Sequence, residues 1–159
     1  MADFNRPEIP AVGIAAGLED DDRRLLSNYG EFLPVQAEQL LIEEGKPQDS
    51  LYFVISGVLH VHTLRDGKLS LLARIEAGVT LGEVNIFNPS TASASVTAKI
   101  FSQVWRIDRG ALEEFVEAYP AAGSRLLIGI LAEMSRRIRS MNEKLNTAEL
   151  EATLRSYWH

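Results

Sequence analysis

The sequence contains no cysteine among its 159 residues. Disulfide bonds, zinc–cysteine sites and thiol catalysis are therefore excluded. It also lacks an excess of positive charge, since 16 lysines and arginines stand against 22 aspartates and glutamates, for a net charge of −6. A protein that binds nucleic acid in general needs a basic face. We therefore expect no nucleic-acid partner.

Long apolar runs are missing as well. The longest, at residues 126–132, is far shorter than the roughly 20 residues that span a bilayer. The N-terminus carries Asp3, Arg6 and Glu8 and has no signal-peptide pattern. We expect one domain, placed in the cytoplasm and without a membrane partner, because the length and the 46% apolar content are ordinary for a globular chain.

The chain divides into three predicted parts. Residues 1–17 are expected to form a loosely ordered arm, and a short helix from Leu18 is expected to end at Gly30. From residue 31 to 108, short β-rich runs alternate with turn residues, which is typical of a small barrel or sandwich. Asp66 and Gly67 between two runs predict a two-residue hairpin. The predicted strands are 40–42, 51–56, 58–65, 68–75, 95–99 and 102–107.

The pattern becomes helical after Asp108, a predicted N-cap. A short helix is expected at 109–119, ended by Pro120, with a long helix from about residue 123 onward. The apolar positions of the long helix follow a heptad, which predicts a seam for a homodimer. The alternative is that this stripe covers the barrel. The seam residues are Leu127, Leu131, Met134, Ile138, Met141, Leu145, Ala148 and Ala152.

One segment has the residues for binding a small molecule. It reads GEVNIFNPSTASASV and begins at Gly82. Glycine permits close approach of the backbone, and the N–H groups that open a short helix favour an anion. Glu83 is a lone carboxylate suited to accepting bonds from hydroxyls, and Ser93 and Ala94 add a hydroxyl and further amides. The segment suits a ligand that carries both a sugar and a phosphate.

This segment resembles the phosphate-binding cassette of the cyclic nucleotide-binding domain family. The glycines at 45, 57, 78 and 82 fall where that family has turn glycines, and residues 133–145 resemble its long helix after the barrel. The resemblance covers about residues 18–146. It implies a mainly β fold with flanking helices, a β-roll or double-stranded β-helix (jelly-roll) barrel followed by a long C-terminal helix. The domain would comprise residues 18–122, and the long helix residues 123–159.

The resemblance also implies roles for single residues. Glu83 matches the glutamate that binds the ribose 2′-hydroxyl, and the backbone of Gly82 and Val84 would line the sugar-phosphate. Ser93 and Ala94 match the pair that meets the cyclic phosphate. Met141 and Asn142 lie near the family's base contacts on the long helix. The implied ligand is a cyclic nucleotide, cAMP or cGMP.

Position 92 departs from the family pattern. The cassette arginine that pairs with the phosphate would stand there, and this chain has Ala92. Losing one partner of a buried charge pair costs about 2–5 kcal/mol, or roughly thirty-fold to a few thousand-fold in affinity. Arg74, Lys99 and Arg137 are candidate replacement cations, although Arg137 is also a candidate partner for Glu83.

Other chemistry is not expected. His60 and His62 resemble a metal motif, but a third ligand is missing, so surface histidines are expected and no metal. The serines lack a histidine at a spacing that suggests nucleophilic catalysis, so an enzyme is not expected. Two hypotheses remain. The chain is a stand-alone regulatory sensor whose ligand moves the C-terminal helix, or it is a degenerate domain that no longer binds and serves dimerisation or an unknown protein partner.

Overall fold

The computed structural model describes residues 7–157. A 3₁₀ turn at Gly13–Ala15 comes first, and the described residues after it form four helices and ten strands. The helices are α1 (Asp20–Tyr29), α2 (Glu83–Phe87), α3 (Arg109–Ala118) and α4 (Pro120–Tyr157). The strands are β1 (Glu31–Val35), β2 (Leu40–Ile42), β3 (Pro47–Gln48), β4 (Ser50–Ser56), β5 (Val58–Arg65), β6 (Lys68–Glu76), β7 (Thr80–Leu81), β8 (Ser90–Thr91), β9 (Ser95–Ala98) and β10 (Ser102–Asp108).

The strands form two antiparallel four-stranded sheets, in the orders β1-β10-β4-β7 and β2-β9-β5-β6, with β3 and β8 as a separate pair. The two larger sheets do not close on each other, which is the arrangement of a β-roll. The predicted fold class, a β-roll with flanking helices and a long C-terminal helix, is confirmed. The predicted hairpin joins β5 to β6, where Asp66 and Gly67 both have positive φ, 50° and 73°.

Two apolar cores fill the molecule, and β4 contributes to both. Phe53 packs with Trp105 and Phe115 in the core between the first sheet and the helices. Tyr52 and Val54 point the other way, into the core between the sheets. Successive strand residues face opposite sides, so a strand covered on both faces needs an unbroken apolar run. This explains the run at residues 51–55.

The N-terminal segment differs from the loosely ordered arm expected for residues 1–17. Within its described part, Ile9, Ile14 and Ala15 are buried in the helix-side core. The amide of Ile9 donates to Ser27 Oγ at 3.0 Å, and the turn at Gly13–Ala15 contacts α4. The expectation is corrected because these apolar side chains have a helical face to pack on. The division at residues 17 and 122 otherwise stays a prediction.

Two of the predicted helix boundaries agree with the structure and one differs. Gly30 follows the last residue of α1, and Asp108 caps α3 by accepting a bond from Ala111 N–H at 2.9 Å. Pro120 begins α4 instead of separating α3 from a helix that begins near 123. Proline is favoured at the first helical position because it has no N–H to leave unpaired there.

Only the first third of α4 is buried. Ala122, Gly123, Leu126 and Ile130 face the core. Of the predicted seam, Leu127 and Met134 are half-buried, and Met134 packs on the helix-side core. The other seam residues are exposed, among them Leu131, Ile138, Met141 and Leu145. None of the helices in the described part of the chain combines the length and the hydropathy needed to cross a bilayer.

Candidate functional site

Gly82 joins β7 to α2 in a conformation that suits glycine. Its φ of 84° lies in the left-handed region. A Cβ there would lie 2.2 Å from Ser50 O and 2.9 Å from Gln48 Nε2. No other residue fits this close approach of two backbones. The turn places Glu83 at the start of α2, inside the roll.

A cavity of about 190 Å³ opens beside this turn. Six of the eight predicted site residues line it, from both sides of the cassette. They are Gly82, Glu83, Val84, Ala92, Ser93 and Ala94. Sequence analysis missed the remaining lining residues, although inward-facing positions of the predicted strands could have indicated several of them. They are Ile42, Gln48, Val61, Leu81, Asn85 and Val96.

Among the described residues, Glu83 is the one charged residue of the lining, and it is 4% exposed. Its Oε1 accepts a bond from Thr80 Oγ1 at 2.5 Å and pairs with Arg137 Nη1 at 2.9 Å. A buried carboxylate is stable only when it is paired and hydrogen-bonded, and these two contacts meet that need. Within residues 7–157, both contacts involve the same oxygen, so Oε2 is the oxygen left for a ligand hydroxyl.

Arg137 links this site to α4. Besides Glu83, it donates from Nη2 to Thr80 O at 2.6 Å and from Nε to Glu133 Oε1 at 3.3 Å. The predicted pairing of Arg137 with Glu83 is confirmed. The pKa of Glu133 is lowered, chiefly by a hydrogen bond from Arg136 and also by the charge of Arg137. Arg137 is therefore held on three sides, and its charge is already matched by carboxylates.

Ala92 is buried at the other side of the cavity and provides no charge. The exposed Arg74 pairs with Glu76 at 3.0 Å, and Lys99 lies 3.9 Å from Glu38. Neither Arg74 nor Lys99 lines the cavity. The two candidates for replacing the cassette arginine are thus directed elsewhere, and Arg137 is engaged with Glu83.

Asn85, on α2, ties the cassette loop together. Its Nδ2 donates to Ser90 O at 3.2 Å and to Thr91 O at 3.3 Å. A small residue at this position has no side chain to make these bonds. The amide thus holds β8 close to α2, which shapes the wall of the cavity next to Ala92.

Met141 and Asn142 do not join this group. Both are exposed on α4 beyond Arg137, with Met141 61% exposed, and neither lines the cavity. Their predicted contact with a base stays a prediction. His60 and His62 lie on β5, where His62 Nε2 is 2.9 Å from Thr97 Oγ1. Among the described residues there is no group of three or more side chains that could hold a metal ion.

Comparison with known proteins agrees with this geometry. Residues 32–119 match the model of the cyclic nucleotide-binding domain. The CRP-like cAMP-activated global transcriptional regulator of Mycobacterium tuberculosis is 28% identical over 135 residues, which are 84% of this chain and 58% of the regulator. The N-terminal domain of a transcriptional regulator from Streptomyces coelicolor superposes with a TM-score of 0.70 at 26% identity, covering 83% of this chain and 90% of that domain.

The catabolite activator protein of Thermus thermophilus has the same fold. The TM-score is 0.76 at 20% identity, with 86% of this chain and 62% of that protein covered. The match over residues 32–119 includes more than half of the chain, so the chain belongs to the cyclic nucleotide-binding domain family. It spans a little over half the length of the M. tuberculosis regulator.

Proposed function

We propose that this domain is a regulatory sensor that binds a cyclic nucleotide, or a closely related small molecule, in the cavity beside Gly82. The observation that carries the proposal is the Glu83–Arg137 ion pair, because one of its partners lines the cavity and the other lies on α4. The role is regulatory and not catalytic. The cytoplasmic location expected from the sequence stays a prediction.

The ion pair provides a route from ligand to helix. A ribose hydroxyl that donates to Glu83 Oε2 would draw on the charge of the carboxylate whose Oε1 already binds Arg137 and Thr80. A ligand shifts a conformational equilibrium only by its differential affinity for the two states. Glu83 gives such a difference, because its bonds to α4 and to the ligand depend on each other. The ligand would thereby change how firmly Arg137 holds α4 on the roll.

We expect this domain to bind a cyclic nucleotide more weakly than family members that have the cassette arginine. An arginine makes bidentate, charge-assisted bonds to phosphate, and Ala92 makes none. The estimated cost of about 2–5 kcal/mol would move a micromolar site into the range of tens of micromolar to millimolar.

Calorimetric titration with cyclic AMP and cyclic GMP, each to millimolar concentration, tests the proposal. We expect saturable binding by the wild type and a loss of at least about tenfold for Glu83→Gln, which loses the charged acceptor. Glu76→Gln is the matched control, because Glu76 is an exposed glutamate outside the cavity. Equal affinities for wild type and Glu83→Gln would contradict the assignment of the ribose to this carboxylate.

The second candidate function is a dimerisation module without ligand binding. It is favoured by the exposed apolar residues Leu131, Ile138, Met141 and Leu145, which repeat along α4 with heptad spacing. A second copy of the chain would cover them. A dimer mass by light scattering, with no heat from either nucleotide, would favour this candidate. Dimerisation together with binding would fit a sensor that acts as a dimer.

A further inference from the structure

Lys46 lies directly opposite Ala92, the position that lacks the arginine. The backbone bonds show this pairing, since Ala92 N–H donates to Lys46 O at 2.8 Å and Gly45 N–H donates to Ala92 O at 2.8 Å. The pairing continues the register of β3 with β8 by one step. The pairs of that ladder are Pro47 with Thr91 and Gln48 with Ser90.

Gly45 produces this arrangement through a β-bulge. Its φ is 82°, in the left-handed region, and it shares Ala92 as a bonding partner with Lys46. A left-handed glycine at the first of two residues that oppose one is the pattern of a G1 bulge. The second residue of such a bulge, here Lys46, keeps the register of the β3–β8 pairing. Lys46 therefore counts as the cross-strand neighbour of Ala92.

The register also fixes the face on which Lys46 lies. Directly opposed residues of an antiparallel pair project to the same face, and so do residues two apart along one strand. Ala92, opposite Lys46, and Gln48, two residues after it, both line the cavity. Lys46 thus shares the cavity's face of this small sheet, with its Cβ about 5 Å from that of Ala92.

The positive charge of Lys46 matters for binding a phosphate in this cavity. Within residues 7–157, the residues that line the cavity include no cation, and their one anion, Glu83, is matched by Arg137. A phosphate near Ala92 and Ser93 would need a positive charge on the same side. Lys46 is exposed and does not itself line the cavity, but it shares the face of its neighbours Ala92 and Gln48, which do. Lysine is a compact cation on a flexible four-carbon stem, which gives it reach from such a position.

We infer that Lys46 binds the phosphate of the ligand, taking from the opposite strand the place of the arginine missing at position 92. This inference rests on the proposed function and names a further binding residue of the same site. Because an exposed ammonium makes a single, solvent-screened contact, binding weakens with added salt and stays below what an arginine would give.

The test measures the affinity for whichever of cyclic AMP and cyclic GMP the wild type binds more tightly, by calorimetry at low and at high salt. Lys46→Gln is expected to weaken binding about tenfold, which is 1.4 kcal/mol. Lys99→Gln removes the same charge from an exposed lysine outside the cavity and should stay within about twofold of wild type. The nucleoside without its phosphate should bind Lys46→Gln and wild type equally. Lys46→Arg should retain affinity, and adding Ala92→Arg to Lys46→Gln should restore it.

The outcomes separate the two claims. A wild type that binds neither nucleotide refutes the proposed function and this inference with it. A wild type that binds, with Lys46→Gln unchanged or no weaker than Lys99→Gln, refutes the role of Lys46 and leaves the proposed function standing. If Lys46→Gln loses as much affinity for the nucleoside as for the cyclic nucleotide, the role of Lys46 is also refuted, because the effect would be structural and not that of a phosphate contact.

Discussion

Replacing Arg137 with glutamine tests the connection between the cavity and α4 most directly. The change removes the ion pair to Glu83 at 2.9 Å, the bond to Thr80 O at 2.6 Å and the bond to Glu133 at 3.3 Å. Glu83 is then left as a buried carboxylate whose one remaining described donor is the Thr80 hydroxyl. The domain should lose stability, and α4 should be held less firmly on the roll.

The burial of the Glu83–Arg137 pair sets how much stability the Arg137→Gln variant should lose. Breaking a fully buried ion pair costs about 3–5 kcal/mol, because an uncompensated charge remains inside. The Arg137 side chain is 36% exposed, so water can reach the vacated position and reduce the cost. We therefore expect about 2 kcal/mol. For a chain of this length, each kcal/mol lowers Tm by roughly 2–4 °C, so the expected shift is about 6 °C.

Thermal and urea unfolding followed by circular dichroism would measure this loss. Arg136→Gln is the matched control, since Arg136 is the neighbouring arginine, is more exposed and pairs only with Glu133 among the described residues. Combining Arg137→Gln with Glu83→Gln should cost less than the sum of the two single changes, because no unpaired charge remains. An Arg137→Gln loss no larger than that of Arg136→Gln, or an additive double variant, would refute the reasoning.

Three further predictions concern the ligand, the helix and pH. Ala92→Arg should raise cyclic nucleotide affinity at least tenfold in calorimetry, and no gain would contradict the placement of phosphate at this position. Ile138→Glu should lower the mass seen by light scattering toward that of a monomer, while Ser140→Glu, on another face of α4, should not; equal masses would contradict the seam. The pKa of Glu133 is lowered in the folded state from its ordinary value of 4.5, so this carboxylate stabilises the fold at any pH above 4.5. That contribution is lost as the pH falls through the folded-state pKa. The difference in Tm between wild type and Glu133→Gln should therefore shrink below about pH 4.5, and a difference unchanged down to pH 3 would contradict the link.

The fold could be predicted from local patterns because its strands are short β-rich runs that end at turn residues. The hairpin at Asp66 and Gly67 is one example, since positive φ at two positions leaves few alternatives. Pro120 correctly marks the end of the short helix, but the long helix begins at Pro120 and not near residue 123, because proline also suits the first position of a helix. The packed segment around Ile14 was missed, since a short apolar stretch broken by glycine does not indicate what it packs against.

The part of the candidate site that lies within one segment of the sequence could be predicted. Gly82, Glu83 and Ser93 stand within one segment, and their grouping needs only a turn. Lys46, which we propose as a further binding residue, could not be assigned from the sequence, because its place opposite Ala92, 46 residues away, depends on the register of β3 with β8 and on the bulge at Gly45. Arg137 could be named from the sequence as a candidate partner for Glu83, because a buried carboxylate needs a cation, and the structure confirms the pair.

The shape of α4 has a mechanical consequence. The helix is clamped to the roll over its first third and again at Arg137, and from there about 30 Å of it extends to Tyr157 at 1.5 Å per residue. A rigid rod pivoting at Arg137 by about 10° would carry its far tip sideways through about 5 Å. Because this movement is perpendicular to the helix axis, its size at each exposed apolar residue of α4 would grow with the distance of that residue from Arg137.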